Sequence, residues 1–167
     1  NLNYDVLNDL SSEYIEKIVG SRTGGPLGQR KDRYFGAATV RGAVDYISDI
    51  TQDIQKRYFI KGRPGTGKST FLKKIASAAL AAGYDTEVYH CAFDPDSLDL
   101  VSIPALSVCL FDSTAPHEYF PSREGDEIID IYEMAVTTGT DEAHKSDLTA
   151  LAACYKNEVA MATKQLV

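Results

Sequence analysis

Apolar residues change period repeatedly along the chain, and each change marks an element. Over residues 1–20, Leu7, Leu10, Tyr14, Ile15, Ile18 and Val19 recur near helical spacing and predict an amphipathic helix. Ser21 to Arg33 is rich in glycine and basic residues and reads as a linker or mobile loop, with a boundary near residue 33. The remainder, 34–167, is expected to form the main domain. Tyr34 to Thr39 suits a short strand or an extended entry, after which Thr39 could cap a helix carrying Val44, Ile47, Ile50 and Ile54. Tyr58-Phe59-Ile60 reads as a buried strand. Phe71, Leu72, Ile75, Ala76, Ala79 and Leu80 then share one helical face, closed by Gly83. A second strand follows over Thr86–Phe93, an acidic turn over Asp94–Asp99, and a third strand over Leu106–Phe111 that ends in Asp112. Beyond the long loop Ser113–Gly125, Asp126–Met134 reads as a helix. Residues from Asp141 onward form a long helical pattern through Leu148, Leu151, Tyr155 and Val159. Strand, helix, strand in succession predicts an α/β domain whose strands run parallel through right-handed crossovers.

The loop between the first strand and its helix carries the chemistry. Gly62-Arg-Pro-Gly-Thr-Gly-Lys-Ser69 fits the Walker A pattern G-x-x-x-x-G-K-[ST] at every required position. Glycines without Cβ let backbone N–H groups approach a phosphate, and the helix N-terminus adds partial positive charge. Gly62, Arg63, Pro64, Gly65, Thr66, Gly67, Lys68, Ser69 and Thr70 are therefore candidates for holding ATP or GTP. Lys68 would reach the β- and γ-phosphates, and the Ser69 hydroxyl would ligate Mg²⁺. Asp112, at the tip of an apolar strand, has the form of a Walker B carboxylate that holds the same Mg²⁺. In the loop after it, His117 could orient a water or an acceptor, or brace the loop through a carbonyl. Glu118 is a candidate water-activating base and Arg123 a candidate charge stabiliser. Asp94, Asp96 and Asp99 suit turn formation and capping, with Asp94 the one expected nearest the site.

Composition narrows the partners. Acidic residues outnumber basic ones, 24 to 17, for a net charge of −7, which argues against nucleic acid as the main partner. No apolar run approaches the ~20 residues of a membrane span. Three cysteines far apart in sequence suggest buried, reduced thiols and a cytoplasmic setting. A start at Asn1 suggests a piece of a longer protein.

The chain resembles bacterial proteins with two tandem P-loop ATPase-like halves, described as ATP-binding or nucleotide kinase-like. The likeness is to the second half. It rests on Arg33-Tyr-Phe-Gly36, Lys56 to Thr70, Tyr89-His-Cys91, Phe93 to Asp99, Phe111 to Asp126 and Gly139-Thr-Asp141. The resemblance implies a three-layer P-loop NTPase fold, a parallel sheet flanked by helices, ATP or GTP with Mg²⁺, and the other P-loop half as partner. It implies phosphate-binding roles for Gly65, Gly67, Lys68, Ser69 and Thr70, and draws Asp112 and His117 into the site. Residues 1–20 would then be the tail of the preceding half. The family continues beyond the point matching Val167, which leaves open a domain truncated at its C-terminal side. Three activities fit: an Mg-dependent phosphohydrolase or switch, a nucleotide or small-molecule kinase, and a nucleotide-binding regulatory module without turnover. A Walker B strand beside the Walker A strand would suggest nucleotide kinases; an intervening strand would suggest the ATPase class.

Overall fold

The computed structural model describes residues 2–22, 25–115 and 118–165. In chain order the elements are α1 (Tyr4–Ile18), β1 (Arg30–Tyr34), β2 (Gly36–Thr39), β3 (Gly42–Asp45), α2 (Ile47–Ile50), β4 (Lys56–Lys61), α3 (Lys68–Ala81), β5 (Thr86–His90), β6 (Leu98–Ile103), β7 (Val108–Asp112), β8 (Glu127–Asp130), α4 (Ile131–Ala135), α5 (Thr140–Ala143) and α6 (Lys145–Lys164). A six-stranded sheet, ordered β1-β5-β6-β7-β4-β8, forms the centre, and β2 and β3 pair as a separate hairpin. The sheet is parallel at β1–β5, β7–β4 and β4–β8, and β6 runs antiparallel to both of its neighbours. The protein is thus an α/β fold with a mostly parallel sheet flanked by helices.

Alternation along the strands divides the core in two. Tyr58 and Ile60 of β4 pack with Val101, Leu110, Ile129 and the apolar faces of α1 and α3. Phe59, Leu100, Cys109 and Phe111 point to the opposite face, where Phe35, Ile47 and Tyr119 cover them. Side chains of opposite parity in one strand thus serve two separate layers.

Several expectations change here. Residues 39–54 do not form one helix. Val40-Arg41 turns a hairpin between β2 and β3, with Gly42 at φ 98° and Thr39 Oγ1 donating to the Gly42 carbonyl at 2.8 Å. Only the short α2 follows. The stretch 126–134 is not one helix either: β8 pairs in parallel with β4, and α4 starts after it, capped by Asp130. The linker expected over 21–33 ends inside β1, so the boundary near residue 33 falls within a strand. The helix expected from Asp141 is interrupted at His144, between α5 and α6. Finally, the sheet extends past three strands because β1, β6 and β8 join it.

The N-terminal helix is an integral layer. Asn3 caps α1 by accepting from the Asp5 and Val6 amides, and Asn3 N–H donates to the Ala135 carbonyl at 2.8 Å. Leu7, Leu10 and Tyr14 are buried in the α3-side core. Glu127 of β8 accepts from Tyr14 Oη at 2.8 Å, Lys17 Nζ at 2.7 Å and Lys56 Nζ at 2.9 Å, which joins α1, β4 and β8.

Beside it, Arg57 holds the buried Asp126 through two bonds, Nε at 2.8 Å and Nη2 at 2.6 Å. Those bonds from Arg57 outweigh burial and hold the Asp126 carboxyl down at about 2. Burial alone would raise Glu127, but hydrogen bonds from Lys17, Lys56 and Tyr14 outweigh it and bring that carboxyl to about 2. Both folded values lie below the unfolded ones. Their stabilisation is therefore complete above the ordinary carboxylate range and lost as pH falls toward 2. Urea midpoints should hold steady down to about pH 5 and then drop steeply toward about pH 2. Asp126→Asn, which leaves Arg57 buried without its counter-charge, should cost roughly 3 kcal/mol at neutral pH and flatten that drop. A variant as stable as the parent would show that the pair does not hold β4 to the loop before β8.

Candidate functional site

The glycine loop lies where β4 ends and α3 begins, at the C-terminal edge of the parallel strands. Gly62, at φ 152°, has no room for a side chain, because a Cβ there would stand 2.6 Å from Thr66 Oγ1. Thr66 Oγ1 in turn donates to the Arg63 carbonyl at 2.8 Å and closes the loop on itself. Gly67, at φ 91°, occupies the N-cap of α3 and supplies no side-chain cap. The first amides of α3 are thereby left for some other acceptor. A Cβ at Gly67 would also press on Leu7 Cδ1 at 3.0 Å, so α1 backs the loop directly.

Lys68 is buried and folds back over the loop. Its Nζ donates to the Gly62 carbonyl at 2.7 Å and the Arg63 carbonyl at 2.9 Å, and lies 3.5 Å from Asp112 Oδ2. Asp112 stands at the end of β7, and its Oδ1 accepts from the Thr114 amide at 3.0 Å and from the Thr114 hydroxyl. Ser69 Oγ accepts from the Leu98 amide at 2.9 Å, which joins the start of α3 to the start of β6. These groups share a cavity of about 490 Å³. Its lining includes Gly65, Gly67, Lys68, Ser69, Thr70 and Asp112, together with Cys91, Phe93, Asp94, Asp99 and Tyr155. Burial pushes the Cys91 thiol up, and its hydrogen bond to Asp99 adds to that.

The sequence candidates separate into those the fold gathers and those it disperses. Lys68, Ser69, Thr70 and Asp112 meet in the cavity, as does Asp94. Arg63 belongs to the loop but turns aside. It pairs with Asp141 and stacks over the Tyr132 ring, 5.3 Å from its centroid. Glu118 is exposed and lies 4.0 Å from Lys61 Nζ. Lys61 shares the parity of Phe59, so this carboxylate belongs to the sheet face away from α3. Arg123 is further off still. Its guanidinium donates to the carbonyls of Thr51 and Gln52, at the edge where β4 begins. The reason is topological. β7 and β8 both run parallel to β4, so residues 113–126 must return along the whole strand length before β8 can start. Groups late in that loop therefore finish at the wrong edge. His117 lies outside the described residues.

Asp99 is the residue that pattern reasoning undervalued. The sequence suggests a turn former there, whereas Asp99 stands second in β6 and is buried against the cavity. The four apolar residues of Leu98–Ile103 held the available signal. Among the described residues, no group of three or more His, Cys, Asp or Glu is arranged to hold a metal ion. The oxygen donors Ser69 and Asp112 nonetheless suit Mg²⁺, which uses one or two protein ligands and completes its shell with substrate phosphates and water. No family model, curated protein or solved structure matches the chain.

Replacing Gly67 by Ala tests the loop geometry without assuming a ligand. A left-handed alanine costs about 1–2 kcal/mol, and the contact with Leu7 adds to it. Urea unfolding should register at least that loss, and the losses from Gly67→Ala and Leu7→Ala should be less than additive in the double variant, because truncating Leu7 removes the contact. Parent-like stability in Gly67→Ala would mean that the loop does not take this conformation.

Proposed function

We propose that this chain binds a nucleoside triphosphate, ATP or GTP, with Mg²⁺ at residues 62–70, and hydrolyses its terminal phosphate. The observation that carries this reading is the convergence on Lys68. Its ammonium spans two loop carbonyls and the Asp112 carboxylate, so a triphosphate reaching the loop meets a positive charge already set over it. Lys68 would exchange those carbonyls for phosphate oxygens, and the α3 amides would accept the tail. Ser69 and Asp112 would hold Mg²⁺, which neutralises charge developing on the transferred phosphoryl group. Catalysis then rests on placement and electrostatics, with no covalent step on the protein.

A second reading, phosphoryl transfer to an acceptor, has its own support. β7 lies directly beside β4, the order of nucleotide kinases, with no strand between them. Glu118, the base considered for hydrolysis, is on the far face of the sheet. The resemblance to tandem P-loop proteins supports either activity and supplies the proposed partner, the other half of such a chain. No helix of the described residues is long and apolar enough to cross a membrane, and a cytoplasmic setting is part of this proposal.

Calorimetric titration with ATP and GTP, each with and without Mg²⁺, tests the common core. Lys68→Ala should weaken binding at least tenfold, whereas equal affinity would remove the site assignment. Asp112→Asn should still fold cooperatively and lose the Mg²⁺ dependence. Phosphate released without an acceptor supports hydrolysis, and turnover only with an added acceptor supports transfer. Binding with no turnover in either assay leaves a regulatory module.

A further inference from the structure

Two large aromatic side chains border the cavity without being packed into either core. Phe93 is 49% exposed and Tyr155 is 61% exposed, and both line the space that also takes in Lys68, Ser69 and Asp112. Of the six phenylalanines in the chain, Phe35, Phe59, Phe71 and Phe111 are buried. Lys61 Nζ stands over the Phe120 ring, 4.3 Å from its centroid. Phe93 is the one of the six that borders this cavity. Tyr155 belongs to α6, no residue of which is buried. Two such rings sharing one concave space suit a flat apolar group, which gains from contact with their faces.

The sheet topology places Phe93 within a ligand's length of the phosphate loop. β6 runs antiparallel to both β5 and β7, and β7 runs parallel to β4, so β5 ends at the same sheet edge as β4. Three strand intervals, roughly 14 Å in all, separate the two exits. The start of α3 reaches toward β6, because Ser69 Oγ accepts from the Leu98 amide. A triphosphate on the first amides of α3 leaves the rest of the nucleotide to be placed along this edge. The cavity continues there to Cys91, Phe93, Asp94 and Ser97 of the β5–β6 connection. That connection is a built turn: Ser97 N–H donates to the Asp94 carbonyl at 2.9 Å, and Cys91 N–H to the Ser97 carbonyl at 3.1 Å. This inference rests on the triphosphate reading above and adds the place of the base. We propose that Phe93 and Tyr155 form the nucleobase subsite, stacking on the purine while residues 62–70 hold the phosphates.

Calorimetric titrations with ATP and with inorganic tripolyphosphate, both with Mg²⁺, separate the base from the phosphates. The parent should bind ATP at least about tenfold more tightly than tripolyphosphate, since only ATP reaches the rings. Phe93→Ala and Tyr155→Ala should each weaken ATP at least about fivefold, the lower end of what one stacked base supplies, and leave tripolyphosphate within about twofold. Tyr155→Phe keeps the ring face and should bind ATP like the parent. Leu151→Ala, an exposed position one turn earlier on α6 and outside the cavity lining, should change neither titration. Equal losses for both ligands in the alanine variants would show a general disturbance of the cavity and overturn the subsite. Unchanged ATP affinity in either alanine variant overturns the pairing of the two rings. A parent that binds ATP and tripolyphosphate alike overturns the base subsite and leaves the phosphate site standing. A parent that binds neither overturns the nucleotide reading itself, and this inference with it.

Discussion

β4 and β7 hydrogen-bond in parallel from Lys56 opposite Val108 to Ile60 opposite Asp112, and two parallel strands must finish at the same edge. The chemistry of the site depends on that constraint. The glycine loop leaves β4 at this edge, and Asp112 ends β7 one strand away, so Lys68 can span them. The antiparallel β6 adds something a parallel strand could not. It begins at this edge, so its first residues, Leu98 and Asp99, enter the site while its remaining length is buried. A donor to Ser69 and a buried carboxylate thus arrive from one strand end.

Support for the loop comes from an element remote in sequence. Tyr14 of α1 packs edge-on against Tyr58 of β4 and Phe71 of α3, with ring centroids 5.6 and 5.8 Å apart. Leu7, two turns earlier, backs Gly67. The same helix reaches β8 through Tyr14, Lys17 and Glu127. The position of α3 relative to the sheet, and with it the aim of its first amides, is therefore set by a wedge of aromatic and aliphatic side chains. Buried apolar contacts of this kind are worth about 1.5–3 kcal/mol per large side chain, more than most exposed ion pairs supply. An N-terminal segment expected to be the tail of a preceding region thus packs against the candidate site's loop.

The candidate site was more legible than the fold around it. A Walker A pattern constrains residue type at fixed offsets, and Asp112 closes an apolar run, so both could be read without knowing the sheet. Three strands could not. β1 is Arg-Lys-Asp-Arg-Tyr, exposed throughout, an edge strand with no apolar alternation to announce it. β8 is only Glu-Ile-Ile-Asp, and its isoleucines are followed closely by Ile131 and Tyr132 of α4, so a helical period fits the sequence as well as a strand. β6 is Leu-Asp-Leu-Val-Ser-Ile, four apolar residues of six, and the acidic turn before it absorbed its first two residues. The long loop after Asp112 shows a different limit. Proximity in sequence to a site residue suggested roles for Glu118 and Arg123, and the return path to β8 separates them from it.

The site is unevenly built, and the unevenness follows from burial. Lys68 and Ser69 stand on the first turn of α3, tied to main-chain groups. The cavity's outer wall includes Tyr155 of α6, and no residue of that helix is buried. α5, just before it, meets the loop through Asp141 and Arg63, an ion pair with Arg63 half exposed. Such pairs contribute about 0–1 kcal/mol, far less than the packing beneath α3. Local opening free energy is lowest where buried contacts are fewest. On the proposed function, the groups assigned to phosphate and metal are therefore held rigidly, and the side facing the base or an acceptor is the side free to adjust. Specificity for that second moiety would then evolve by changes in α5 and α6 without disturbing the phosphate cradle.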